Sequence, residues 1–128
     1  MVGDLSKEMF ERIVETVPIE ISFIGKDDTV RFYNKHGKRI FQRTPSVIGL
    51  KVQNCHPKKS LNAVNQILED FKNGKRDVAE FWITLVDKFI YIRYFPVQDS
   101  QGDYLGTLEV TQDITKIKTL QGEKRLLS

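Results

Sequence analysis

Apolar residues recur along the chain with two periods, one typical of helices and one typical of strands. Between residues 4 and 17 they return every three or four positions, as at Leu5, Met9 and Ile13, which predicts an amphipathic helix. Pro18 ends the pattern because proline cannot continue a helix. A wide apolar stripe needs a partner, so we expect this helix to pack on its own sheet or on a second copy of the chain.

Alternating apolar and polar positions predict four strands, and residues 89–97, which are apolar or aromatic on both faces, predict a fifth that fits a central position in the sheet. The first two strands form a hairpin and the last three follow one another. Their predicted ranges are 19–23, 29–33, 78–86, 89–97 and 104–112. Between the hairpin and the third strand the pattern predicts a short helix over 35–41 capped by Asn34, a short turn or helix ending at Gly49, and a longer helix from Pro57 to Gly74.

The last predicted strand runs directly into a second amphipathic segment. Asp113 is a suitable N-cap, and Ile114, Ile117 and Leu120 lie near one stripe, which predicts a C-terminal helix over 114–128. This helix either continues as a parallel two-stranded coil in a longer protein or folds back onto its own sheet. In either case a strand that continues directly into a helix can transmit a structural change from the sheet to whatever the helix is joined to.

The order of elements defines the fold class and three regions. Two strands and three strands with helices between them predict one antiparallel, five-stranded sheet covered on one face, an α+β fold. The regions are an N-terminal flanking helix (1–18), a core (19–113) and a C-terminal helix (114–128).

Charge is unevenly distributed, although the net charge is only +3. Residues 30–67 contain no Asp or Glu but eight basic side chains: Arg31, Lys35, Lys38, Arg39, Arg43, Lys51, Lys58 and Lys59. Such a local field favours an anionic ligand or partner. The alternative is an ordinary solvated helical face.

Composition excludes several classes of protein. At 128 residues the chain is long enough for one domain with a hydrophobic core, and no apolar run reaches the length of a membrane span. The first residues have no signal-peptide layout, and a single cysteine forms no internal disulfide. We therefore expect a cytoplasmic protein.

The order of elements and four short motifs resemble the PAS domain family. The motifs are residues 15–19 at the helix-to-strand entry, Asn34, residues 47–49 and residues 106–115. The closing triplet Asp113, Ile114 and Thr115 resembles the point at which PAS domains continue into a signalling helix. Residues 51–57 resemble a bacterial and archaeal subgroup often found C-terminal to a hemerythrin-like region.

The resemblance implies a small-ligand pocket between the helices and one sheet face, homodimers formed through the N-terminal helix and sheet, and signals that leave by the C-terminal helix. It does not identify the ligand, because PAS domains hold haem, flavins, small carboxylates, lipids or nothing. We expect a sensor module that is joined to an effector region of a larger signalling protein. The alternatives are a ligand-free homodimerisation module and a haem-binding redox or gas sensor.

His56 and Cys55 are the first candidate pocket residues. His56 either coordinates a haem iron or caps the helix that follows it through its ring. Asn54 and Cys55 are similar to the flavin-adduct motif of light-sensing PAS domains, but only Gln112 matches the amides that would bind a flavin, which argues against flavin. The alternative is an inert buried thiol.

Three further residues complete the candidate set for the pocket, namely Asn34, His36 and Trp82. The aromatic strand residues are equally explained as core or cross-strand pairs. No spaced nucleophile–base arrangement, metal motif or phosphate loop occurs, so we expect no enzyme activity. Basic residues and aromatics fall in different layers, which argues against nucleic-acid binding.

Overall fold

A computed structural model describes residues 1–127 and confirms the α+β fold class. Two α-helices, α1 (Lys7–Thr16) and α2 (Leu61–Lys72), accompany five strands in this part of the chain. The strands are β1 (Glu20–Gly25), β2 (Val30–Tyr33), β3 (Ala79–Leu85), β4 (Lys88–Gln98) and β5 (Tyr104–Asp113). Short 3-10 turns cover Pro45–Val47, Val52–Cys55, Lys58–Ser60 and Ile117–Thr119. No helix in residues 1–127 has the length and apolarity needed to cross a bilayer.

All five strands form one antiparallel sheet in the order β2-β1-β5-β4-β3. The last strand therefore lies at the centre and pairs with the opening hairpin through β1. Gly106 permits this pairing, because a Cβ at this position would lie 2.2 Å from the carbonyl oxygen of Ile24 and 2.6 Å from Cζ of Phe23.

The hydrophobic core lies between one face of the sheet, the inner face, and the segment from 47 to 72. Ile24 and Val30 on the sheet pack against Val52, Val64 and Leu68 on the covering segment. Residues directly opposite each other on neighbouring strands point to the same side, so register identifies the other inner residues.

Helix α1 does not pack on its own sheet as one alternative predicted. It begins at Ser6, whose side chain accepts a hydrogen bond from the backbone N–H of Met9, and none of its residues is buried. Met9, Phe10 and Ile13 are 56%, 49% and 48% exposed. Packing on a second copy of the chain stays a prediction.

The predicted short helix over 35–41 is wrong. Residues 35–41 form turns and bends, since Lys35 and Gly37 have φ angles of 58° and 79° in the left-handed region, which a right-handed helix cannot accommodate. The side chain of Asn34, predicted to cap that helix, instead binds backbone groups near β1.

The predicted C-terminal helix over 114–128 is also wrong for the described residues. Residues 114–127 contain only the 3-10 turn Ile117–Thr119, and Ser128 lies outside the described part of the chain. The apolar stripe finds no packing surface, because Leu120 is 75% exposed, and an unpacked segment of this length is marginal as a helix in water. Gly122 has a φ of 61°, which also breaks the helical pattern.

Replacement of Gly106 by alanine tests the close approach of β5 and β1. We expect Gly106→Ala to lower the free energy of unfolding by about 3 kcal/mol, the upper end of overpacking effects, because backbone and a ring must both move. Gly102→Ala is the matched control, since its φ is +88° but nothing lies within 4 Å of its Cβ, and it should lose about 1 kcal/mol. Urea unfolding curves that show equal losses would contradict the close approach.

Candidate functional site

Four charged side chains lie together on the inner face of the sheet, two of them buried and two largely buried. Arg43 lies 3.1 Å from Glu109 of β5, with the two side chains 14% and 12% exposed. Arg39 lies 3.8 Å from Glu20 of β1, with both side chains almost fully buried. We call these residues the charge cluster. Its formal charge is zero, because two guanidinium groups face two carboxylates.

Sheet register brings the two ion pairs side by side. Ser22 of β1 is directly opposite Glu109 of β5, and the Ser22 hydroxyl accepts a hydrogen bond from Arg39 at 3.2 Å. Arg39 also donates to the carbonyl oxygens of Asn34 at 3.0 Å and Phe41 at 3.0 Å. The Arg39 guanidinium is therefore fixed by the backbone of the segment after β2.

A small cavity adjoins the charge cluster. Its apolar wall comes from the sheet and the covering segment, and consists of Ile24, Val52, Val64, Ile67 and Leu68. Its polar wall consists of His56, Tyr94, Thr107 and Glu109. The cavity volume is about 10 Å³, which is room for about one water molecule.

Three polar groups at this cavity have no hydrogen-bond partner among residues 1–127. They are the imidazole of His56, the hydroxyl of Tyr94 and the carboxylate oxygen Oε1 of Glu109. Buried polar groups in proteins are nearly always paired with protein or water. The three groups remain accessible to water, because the fully buried side-chain atoms without a hydrogen-bond partner in residues 1–127 are others, namely Glu20 Oε2, Asp28 Oδ1 and Arg93 Nε. Each of the three can therefore bond either to water or to a ligand.

Burial shifts the proton affinities of all three groups. It raises the pKa of Glu109, and the guanidinium groups of Arg43 and Arg39 oppose that shift. It lowers the pKa of His56, to which the nearby positive charge of Arg43 adds. Burial also raises the pKa of Tyr94, helped by the charge of Glu109. His56 and Tyr94 are consequently neutral at pH 7.

Asn34, predicted as a pocket residue, lies away from the cavity and connects β1 to α1. Its side-chain N–H groups donate to the carbonyl oxygens of Val14 at 2.8 Å and Ile19 at 3.2 Å, and its Oδ1 accepts from the N–H of Ile21 at 2.7 Å. The buried amide therefore connects the backbone at the end of α1 to the backbone at the start of β1.

His36, Trp82 and Gln112 also lie outside the cavity. His36 is exposed, with its Nδ1 3.1 Å from the hydroxyl of Tyr33. Trp82 is 58% exposed on the opposite, outer face of the sheet. Gln112 points to that outer face as well, where it accepts a hydrogen bond from Arg93 at 2.7 Å.

Of the two residues predicted at the 55–56 junction, only His56 lines the cavity. Its ring caps no helix, since none of the described residues hydrogen-bonds to it, so the capping alternative is wrong. Cys55 is half-buried and packs beside the apolar core. The two side chains are therefore not a paired unit.

The residues predicted as the signalling junction tie the end of β5 to the start of β4. The Thr115 hydroxyl accepts a hydrogen bond from the N–H of Phe89 at 2.9 Å, and the N–H of Ile114 donates to the Phe89 carbonyl at 2.9 Å. Asp113 accepts from the N–H of Thr115 at 3.0 Å. The carboxylate therefore caps a turn, not the predicted helix.

The cavity does not fit the haem that the His56 hypothesis requires. Pockets for molecules of drug size enclose about 300–1,000 Å³, whereas this cavity has about 10 Å³. His36, the second histidine of the chain, is not in its wall. The same volume excludes a flavin ring from this conformation.

No sequence pattern predicted Tyr94, Arg43 or Glu109 as a site residue, and for Glu109 the reason is that β5 reverses the usual pattern. Thr107 and Glu109 face the core, whereas the apolar Leu108 and Val110 face outwards. The basic stretch did contain a usable indication. If Arg39 and Arg43 are not exposed to solvent, each requires a buried acidic partner.

Comparison with known proteins identifies the family. A model of the PAS domain matches residues 10–115, which is most of the chain. No curated protein matches. The crystal structure of a C-terminal domain from Streptococcus mutans is 38% identical, covers 94% of this chain and 96% of its own, and superposes with a TM-score of 0.85.

Two more distant structures share the fold. The PAS domain of BvgS from Bordetella pertussis is 18% identical over 84% of this chain and 85% of its own, with a TM-score of 0.63. A sensory box sensor histidine kinase from Vibrio cholerae is 9% identical over 85% and 91%, with a TM-score of 0.59. The chain belongs to the PAS domain family, whose members are generally sensory modules.

Removal of the Asn34 side chain tests its connecting role. We expect Asn34→Ala to lower the free energy of unfolding by about 2–3 kcal/mol, because the N–H of Ile21 and the carbonyl of Val14 lose their partner. Hydrogen exchange should also become faster in α1. Asn54→Ala, at an exposed position, is the control and should change neither. A variant as stable as the control would show that Asn34 does not hold α1.

Proposed function

We propose that this PAS domain is a non-catalytic sensor module of the cytoplasm that binds a small molecule between its sheet and its covering segment. The observation that carries the proposal is the convergence on one cavity of three polar groups that have no hydrogen-bond partner in residues 1–127, namely the ring of His56, the hydroxyl of Tyr94 and Oε1 of Glu109. Convergent polar groups in an otherwise apolar pocket are the usual form of a small-molecule site.

Binding requires the cavity to enlarge from its present volume of about 10 Å³. The part of the covering segment that precedes α2 contains 3-10 turns of three or four residues, including Val52–Cys55 and Lys58–Ser60. Each such turn has few internal hydrogen bonds, so it can shift at lower cost than the sheet. A ligand that binds the enlarged state shifts the population towards that state.

Two connections lead from the cavity towards the ends of the chain. Glu109 lies on β5, which continues into the junction at Asp113, Ile114 and Thr115. Arg39 joins Ser22, opposite Glu109, to Asn34, which holds the end of α1. Binding of a ligand in the cavity would therefore alter the structure at both ends of the domain.

We further propose that the domain works within a longer signalling protein and pairs with a second copy of itself. The similar Streptococcus mutans structure is a C-terminal domain, which supports the first point. The exposed apolar side of α1 at Met9, Phe10 and Ile13 supports the second. Membership of the subgroup that follows hemerythrin-like regions belongs to the same proposal and rests on residues 51–57.

A ligand-free homodimerisation module is the second candidate. It is favoured by the small volume of the cavity, because side chains such as Ile24, Val52 and Leu68 already fill most of the space. In this alternative a water molecule alone would satisfy the polar groups.

Native mass spectrometry distinguishes the two candidates. We expect protein purified directly from the expressing cells to carry a non-covalent small molecule, and removal of that molecule to lower the melting temperature, since a ligand stabilises the folded state that binds it. His56→Ala and Tyr94→Phe should lose the molecule, whereas His36→Ala, at an exposed position, should retain it. Protein with no adduct and no thermal shift across a metabolite library would contradict the sensor proposal.

A further inference from the structure

We infer that the occupant of this cavity is a small neutral molecule with an apolar body and one hydroxyl or amide group that both donates and accepts hydrogen bonds. The inference rests on the proposed function and names the chemical class that the site selects.

The apolar wall determines the body of the ligand. Ile24, Val52, Val64 and Leu68 are buried aliphatic side chains, and they offer no hydrogen bond. A compact hydrocarbon or aromatic group gains free energy on leaving water for such a wall. The polar end of the ligand must therefore point towards the opposite wall.

Charge balance excludes an ionic ligand. The charge of Glu109 is matched by Arg43 at 3.1 Å, and that of Glu20 by Arg39 at 3.8 Å, while His56 is neutral. An ion entering this site would add an unpaired buried charge, which proteins strongly disfavour.

The basic stretch that suggested an anion does not supply a free charge to the cavity. Arg39 and Arg43 are used within the charge cluster. Lys35 donates to the carbonyl oxygen of Glu15 at 2.9 Å, and Lys51 donates to the carbonyl oxygen of Asp27. Neither lysine lines the cavity.

The hydrogen-bonding groups determine the polar end of the ligand. Oε1 of Glu109 only accepts when the carboxylate is ionised, whereas the Tyr94 hydroxyl and the neutral His56 ring can each donate or accept. A ligand must therefore donate to Glu109 and can accept from Tyr94 or His56. A hydroxyl or amide does both, a carboxylate only accepts, and an ammonium group only donates.

Three probes of equal size and different charge test this class. Benzyl alcohol, benzoate and benzylammonium are each titrated into the ¹⁵N-labelled domain at pH 7, after removal of any co-purified molecule, and amide shifts at Tyr94, Glu109 and His56 are followed. We expect benzyl alcohol to bind at least about tenfold more tightly than either ion. Tighter binding of either ion, or no binding of any probe, would overturn the inference.

A variant that alters the charge beside the cavity provides a second test of the inferred ligand class. Glu109→Gln leaves Arg43 without its carboxylate, so benzoate should gain at least about tenfold in affinity. The double variant Glu109→Gln with Arg43→Gln is again neutral and should return to a preference for benzyl alcohol. Lys38→Gln removes an exposed charge and should leave all three affinities unchanged. Benzoate affinities that are equal in the wild type and Glu109→Gln would overturn the inference.

The results distinguish a failure of the inferred ligand class from a failure of the proposed sensor function. If Glu109→Gln does not fold, as judged by circular dichroism, the comparison of three probes on the wild-type domain decides alone. A co-purified molecule that proves to be an anion or a cation would overturn the neutral class and leave the sensor function intact. The absence of any co-purified molecule would count against the sensor itself.

Discussion

The burial of four charges on the inner face of the sheet is the constraint on which this structure depends. An unpaired ionised group in a protein interior is strongly unfavourable. Each carboxylate therefore pairs with a guanidinium group, Glu20 with Arg39 and Glu109 with Arg43. Their pairing ties both β1 and β5 to the segment after β2. That segment leads into the covering segment from 47 to 72, which packs on the core and lines the cavity.

The charge cluster is the route by which we propose that the cavity communicates with the ends of the domain. Arg39 contacts Ser22, the carbonyl of Asn34 and the neighbourhood of Glu20, while Glu109 borders the cavity. Glu109 bonds to Arg43 and also senses the nearby charge of Arg39, so we propose that a change at Glu109 is transmitted through Arg39 to the end of α1. Buried polar networks of this type have discrete arrangements, because each partly broken arrangement leaves a group unpaired. They are suited to switching between states.

Much of the fold could be predicted from the sequence, because β3 shows clear alternation, β4 is apolar or aromatic on both faces and α2 has a strong apolar face. The failures have physical causes. Positive φ angles at Lys35 and Gly37 exclude a helix that the composition alone allows, and the C-terminal stripe has no surface to pack on. Glu109 was not predicted as a site residue, because a polar residue in an alternating strand is ordinarily assigned to the solvent-exposed face. Pairing between Arg43 and Glu109 is a tertiary property that spacing does not reveal.

A direct test of the charge cluster is the titration of the Glu109 side-chain carboxyl by ¹³C NMR, with its signal assigned by its loss in Glu109→Gln. Burial that outweighs the nearby guanidinium groups predicts a pKa above the ordinary value of 4.5. Protonation should then begin at a higher pH than in an exposed glutamate. A Glu109 pKa at or below 4.5 would show that the guanidinium groups outweigh burial, and would contradict the account of a carboxylate whose pKa is dominated by its removal from water.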